Sequence, residues 1–273
     1  MTTPISLVTG ANGHLGNTLV RALLDRGHTV RAGVRRMDDA APFQGLACER
    51  VPLELRDAAS LNRALAAVDT LYQVAAVFRH WAPHPERDIV QPNVDGTRLI
   101  LQAAAAAGVR KVVYVSSVAA VGHNGSPLDE SHWNDEADNP YYRSKIESER
   151  AAWETARRLN LPLVTVLPGA MVGPNNHRLT DTMQFLEAVR TGKVPLDPDV
   201  HFNFVDVRDV AEAMIQAAER GRPGERYILA NRHSSSLADM LKAMSTGRRP
   251  PAKAPRSLLM SMAWLQEAMA RIT

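Results

Sequence analysis

The 273-residue chain holds a single cysteine, Cys48, few aromatic residues (5%) and almost no surplus of charge, since 32 Lys and Arg face 29 Asp and Glu. One cysteine makes no internal disulfide and no cysteine-rich zinc site, so a reducing compartment, the cytoplasm, is the expected setting. The small positive balance is not gathered on one face. Its only local excess, Arg248, Arg249, Lys253 and Arg256, reads as a solvated loop, and no nucleic-acid partner is expected. No run reaches the roughly 18 apolar residues of a membrane span, because Gln266 and Glu267 interrupt the last candidate, SLLMSMAWLQEAMARIT. The opening MTTPISLVTG lacks a basic stretch followed by an apolar one, so no secretory signal and no membrane partner are expected. What is present, 45% hydrophobic and 22% charged residues without periodic Gly or Pro, is the composition of a globular chain of one to two domains.

Strand-length apolar runs alternate with helical patterns from the start. Ile5 to Val8 is a buried-strand run; His14 to Arg26 carries Leu15, Leu19, Leu23 and Leu24 near helical spacing and stops at Gly27. HTVRAGV, ERVPLEL, TLYQVAA, KVVYVSS and LPLVTVLP supply further strands. Between them lie helices over 58–67 behind Asp57, over 86–107, and from Tyr141 onward. This alternation predicts an α/β fold with a doubly wound parallel sheet covered on both faces. A polar loop of more than twenty residues follows Ser117, long enough to have a function of its own. Beyond Pro168 the segments shorten, with helices near 180–191 and 209–220, and read as a smaller lobe.

The first strand runs directly into TGANGHLG, which places Gly10, Gly13 and Gly16 at a strand-to-helix turn. Glycine there permits a tight turn, close backbone approach to a pyrophosphate and close helix packing, while the helix N-terminus offers free N–H groups to the anion. Asn12, His14 and Leu15 fill the same turn. The second strand ends in Val34, Arg35 and Arg36 and has no acid at its tip to hold a ribose 2′-hydroxyl. A guanidinium suits a 2′-phosphate, so NADP(H) is favoured. The alternative is NAD(H), with Asp38 or Asp39 on the ribose.

Tyr141 and Lys145 stand four apart and share one helical face. An ammonium beside a phenol stabilises phenolate, which predicts a Tyr141 pKa below the ordinary ~10 and a tyrosine that works as a general acid or base. Five tyrosines and five lysines in 273 residues give about 0.09 such pairs by chance. Ser116 and Ser117 end the strand KVVYVSS at the carboxyl edge of the sheet, where ligands of open α/β folds bind, and Ser117 is the expected substrate-binding hydroxyl.

Together TGANGHLG, YVSS and YYRSK, in that order, resemble the extended short-chain dehydrogenase/reductase family, also called the NAD-dependent epimerase/dehydratase family. NVDGT, SPLDESHWN and FVDVRDVAEA add weaker marks, so the resemblance covers nearly the whole chain. It implies a Rossmann domain over 1–170 that includes the catalytic residues, and a smaller substrate lobe over 171–273 that reads as incomplete at its end. It also implies that Ser117 and Tyr141 hold the substrate oxygen, that Tyr141 transfers the proton, and that Lys145 tunes Tyr141 and binds the nicotinamide ribose. Glu54, which stands where the family has aspartate, and Leu55 would meet the adenine. Val74, Ala75 and Ala76, then Pro168, Gly169 and Met171, would border the ribose and nicotinamide. Gln73 stands where histidine is common in the family.

VRAGVRR and LPGAMVGP are similar to the carbonyl reductases among its members, those resembling dihydroflavonol reductase, cinnamoyl-CoA reductase and 3β-hydroxysteroid dehydrogenase. The expected activity is NADPH-dependent reduction of an aldehyde or ketone. The alternatives are a nucleotide-sugar epimerase or dehydratase and a non-catalytic dinucleotide sensor or assembly subunit. Phe78, Trp81, His123, Met171, His177, Met183 and Phe202 could wall a pocket for a small hydrophobic carbonyl or hydroxyl substrate, or equally be lobe core. His80, His84, His123, His132, His177 and His201 show no metal-ligand spacing, so no metal is expected. A homodimer is compatible with all of these readings.

Overall fold

The computed structural model describes residues 4–122, 127–136, 138–255, 257–258 and 260–261. Seven strands form one sheet: β1 (Ile5–Thr9), β2 (Thr29–Val34), β3 (Glu49–Pro52), β4 (Thr70–Gln73), β5 (Lys111–Val115), β6 (Leu163–Pro168) and, late in the chain, Arg226–Leu229. Two short strands intervene, β7 (Ala170–Val172) and β8 (Phe204–Asp206), which pair in a separate sheet, so the last strand of the large sheet is β9. The order is β3-β2-β1-β4-β5-β6-β9, with every neighbouring pair parallel. The chain therefore reverses its winding between β1 and β4, the crevice where doubly wound sheets bind dinucleotides.

The strands fold this way because they are apolar on both faces; β6 is buried at all six positions. Between and beyond the strands lie helices α1 (His14–Asp25), α2 (Ala58–Leu65), α3 (Gln91–Ala106), α4 (Pro140–Leu159), α5 (Asp181–Thr191), α6 (Val207–Arg220) and α7 (Leu237–Ala243), with short 3-10 turns at Ala41–Phe43 and Val118–Ala120. Leu7, Leu61, Ile100, Ala152 and Leu163 pack α2, α3 and α4 against the sheet, and α1 packs on α6. Caps set the boundaries. Asp57 accepts the Ala59 and Ser60 N–H groups at the start of α2, Asn139 accepts those of Tyr141 and Tyr142, and Asp206 accepts that of Arg208.

The helix expected over 86–107 is instead a π turn, Glu86–Val90, leading into α3. Pro92 explains the difference, because it has no N–H to give the carbonyl four residues earlier and the first turn widens. No helix among the described residues is long and apolar enough to cross a membrane.

The chain divides into two compact units. Among the described residues the first comprises 4–168, 173–178 and 206–229; the second comprises 169–172, 179–205 and 230–261. Two segments placed in the lobe by the boundary at 170 thus belong with the large sheet. The reason is visible in β9, which pairs with β6 from Thr165↔Arg226 to Pro168↔Leu229, and in α6, which packs on α1. The second unit has its own core, with Val189, Leu237, Met240 and Leu241 against Phe185, Phe202 and Phe204.

Candidate active site

The glycine turn at the end of β1 is shaped by atoms a side chain would displace. A Cβ on Gly16 would lie 2.3 Å from the Gly10 carbonyl oxygen; Gly10 itself has φ +61°, and a Cβ there would lie 3.1 Å from Cα of Ala75. Helix α1 begins behind Gly13 with no side-chain cap and no acid in its first turn. Its leading N–H groups are thus available to an anion, and the cradle fits the pyrophosphate of a dinucleotide.

Thr9 and Gln73 stitch the neighbouring strand ends together. The Thr9 hydroxyl donates to Gln73 Oε1 at 2.9 Å and accepts the Val74 and Ala75 N–H groups, each at 2.9 Å. Gln73 therefore does structural work at the β1–β4 crevice, presenting the backbone of Val74 to Ala76.

Not every side chain of the turn points at a ligand. His14 is buried, and its Nε2 lies 3.2 Å and 2.9 Å from the carbonyl oxygens of Gly173 and Pro174; two acceptors require the hydrogen on Nε2. Burial pushes the His14 pKa down, so the ring stays neutral. Leu15 is core. Asn12 donates to Asp39 at 2.7 Å, and Arg178 pairs with the same carboxylate oxygen at 3.0 Å. Arg35 and Arg36 lie exposed beyond β2. Glu54 is exposed, while Leu55 packs against the core, its Cβ 3.2 Å from where a Cβ on Gly96 would lie. Pro168 is buried at the end of β6; Gly169 and Met171 belong to the second unit.

The two serines diverge. Ser116 donates to Glu149 at 2.6 Å, whereas Ser117 turns toward Tyr141, whose hydroxyl donates to Ser117 Oγ at 3.4 Å. Ser117 also accepts the Ala119 N–H at 3.2 Å, which holds its hydroxyl at the strand end. Tyr141 stands in the first turn of α4 with two rings against its own: the Phe78 ring is edge-on at 5.2 Å and the His80 ring lies at 4.8 Å.

Burial pushes the Tyr141 pKa up, with the Ser117 hydrogen bond opposing it. This differs from the lowered value the Tyr–Lys spacing predicts. The phenol's own desolvation is the larger effect; burial also brings Lys145 down to about 8, with Glu149 opposing.

Asn93, in the sequence only a member of the NVDGT mark, joins three parts of the site. Its amide bonds both backbone groups of Val77, at 2.7 and 2.9 Å, and donates to Ser144 at 2.7 Å, next to Lys145. Glu149 could be found by its spacing of four from Lys145. His80 and Arg226 carry no such signal.

Of the residues considered for a substrate wall, Phe78 and Trp81 are each 48% exposed, and His177 is exposed. Phe202 packs between Phe185 and Phe204 at 5.1 and 5.7 Å, as lobe core. Met171 and Met183 lie in β7 and α5 of the same unit. His123 and Arg256 fall outside the described residues.

The profile of the NAD dependent epimerase/dehydratase family matches residues 6–230. The chain belongs to this family. It is 37% identical over 97% of its length to sterol demethylase protein B of Methylococcus capsulatus, of which it spans 82%. It is 34% identical to a putative dihydroflavonol 4-reductase of Synechocystis, over 95% of this chain and 78% of that one. Among solved structures of the fold, gox2253 superposes with a TM-score of 0.87 at 38% identity, covering 98% of this chain and 82% of that one. This epimerase/dehydratase member is thus an NAD(P)-dependent α/β enzyme built on the Rossmann sheet.

Proposed function

We propose that the protein is an NADPH-dependent carbonyl reductase of a small hydrophobic aldehyde or ketone. The observation that carries this reading is the Tyr141 hydroxyl set 3.4 Å from Ser117 Oγ at the carboxyl edge of the sheet. The resemblance to a dihydroflavonol reductase and, at 30% identity, to a cinnamoyl-CoA reductase of Medicago truncatula supports it.

NADPH is the reading's cofactor. The glycine turn holds the pyrophosphate through backbone N–H groups. Arg35 takes the 2′-phosphate, and Asp39 is already occupied by Asn12 and Arg178, which argues against its holding a free ribose. When bound, the dinucleotide supplies the hydride.

The protein's part is to place and protonate the carbonyl oxygen. Ser117 donates a hydrogen bond to that oxygen, and Tyr141 donates a second and then its proton as negative charge develops. A phenol with a raised pKa is protonated at neutral pH, the form reduction needs. Lys145, an ammonium below about pH 8, stabilises the phenolate that results and meets the ribose. Phe78 and His80 pack against the phenol ring and hold it in place.

A panel of aldehydes, ketones, steroids and nucleotide sugars, assayed with NADPH and NADH, tests this reading. Turnover of apolar carbonyls with NADPH is expected. Turnover of nucleotide sugars alone would replace it with epimerase chemistry, and dinucleotide binding without any turnover would favour a sensor.

A further inference from the structure

Helix α4 carries a carboxylate that the proposed chemistry does not use. Glu149 is fully buried, yet it accepts five hydrogen bonds from four side chains. Ser116 gives one at 2.6 Å, Thr165 of β6 one at 3.1 Å and Trp153 one at 3.2 Å; Arg226 gives two through Nε and Nη2, at 2.9 and 3.2 Å. Arg226, on β9, reaches further. Its Nη1 donates to the carbonyl oxygens of Glu130 and His132 at 2.8 and 2.6 Å, and its guanidinium lies 4.0 Å from the Trp133 ring centre. Two further bonds attach the same loop: Ile228 N–H to the Glu130 carboxylate, and Asn134 to the Ala119 carbonyl just past Ser117.

A buried ion pair is not by itself a sign of stability, since desolvation consumes most of its attraction. What singles this one out is where its bonds go. They run from the residue beside Ser117, to the helix face one turn past Lys145, to the polar loop that follows the catalytic strand. A planar guanidinium can bind a carboxylate with one edge and carbonyls with the other; an ammonium cannot span both.

We propose that Glu149 and Arg226 form a positioning clamp that fixes Ser117 and the loop over 127–136 against the helix bearing Tyr141 and Lys145. The clamp touches neither substrate nor cofactor. It sets the Ser117–Tyr141 separation, and its catalytic consequence rests on the carbonyl-reductase reading above.

The test uses the full chain with Arg226→Lys and Glu149→Gln, read two ways. Hydrogen exchange of the unliganded protein, at temperatures matched to each variant's stability, is expected to rise at the amides of 127–136 and stay unchanged in β1 and β4. With NADPH and the best carbonyl, kcat is expected to fall about tenfold or more, since a misplacement of about 1 Å can cost about 10²-fold and these variants shift the site by less, while the KM for NADPH changes less than about threefold. If either variant does not fold, Ser116→Ala removes a single bond to Glu149 and should show both effects more weakly. Loop exchange equal to wild type, or a kcat unchanged in folded variants, overturns the proposal. A wild-type protein that turns over no carbonyl would instead refute the functional reading, and the exchange experiment would still decide the clamp.

Discussion

Tyr141 and Ser117 lie 24 residues apart in sequence, yet the phenol of one donates to the hydroxyl of the other across 3.4 Å. The contact exists because Ser117, two residues past the end of β5, is extended and caps the 3-10 turn Val118–Ala120, while Asn139 caps α4 two residues before Tyr141.

The pH dependence of this pair follows from its burial. Tyr141, pushed upward, stays protonated through the neutral range, so the phenol does not limit reduction there. Lys145 loses its proton near pH 8. Reductive kcat/KM is therefore expected to hold below about pH 8 and decline above it; Lys145→Arg should carry the plateau to higher pH. A pH–rate profile of both proteins measures this.

Lys145 is also expected to be a burden on the fold. Its folded pKa, about 8 against an ordinary 10.5, means the unfolded chain binds more protons between those values. Wild-type stability thus gains from Lys145 as pH rises from about 8 to 10.5, and the cost is fully present below 8. Lys145→Met should be more stable than wild type at pH 7 by up to about 3 kcal/mol while losing turnover. Urea unfolding at pH 7 and pH 10 should show the gap closing.

Cofactor choice is expected to sit on Arg35. Replacing it by Ala should weaken NADP(H) binding about tenfold or more, the effect of one lost charge-assisted phosphate contact, and leave NAD(H) nearly unchanged. Fluorescence titration with both dinucleotides checks the ratio. An equal loss for both would place the 2′-phosphate elsewhere.

The buried ion pair makes a stability prediction separate from its positioning role. Glu149→Ala or Arg226→Met alone strands a charge in the core and should cost about 3–5 kcal/mol. The double variant should lose much less than the sum, as chemical denaturation of all four proteins in a mutant cycle would show.

Much of this was legible in the sequence because it is local. The glycine turn, the strand end at Ser117 and the Tyr141–Lys145 spacing are each set within a few residues, and strand and helix periods placed six of the seven strands of the large sheet. What escaped depends on distant chain. Arg226 sits in a four-residue strand, RYIL, and meets Glu149 across 77 positions. No period marks β9, and no contiguous boundary can express a unit that the chain leaves at 168 and rejoins at 173 and again at 206. The lowered Tyr141 pKa failed for another reason: spacing places a cation on the right face but cannot report how far burial of the phenol itself raises its pKa.

The most direct test of the central claim follows the transferred atoms. With NADPH carrying deuterium at both C4 positions and an apolar aldehyde or ketone, mass spectrometry of the product alcohol should find one label on the former carbonyl carbon. Tyr141→Phe should bind NADPH as wild type does, yet form that product about 10²-fold or more slowly. Undiminished turnover by Tyr141→Phe, or alcohol formed without the label, would contradict the account.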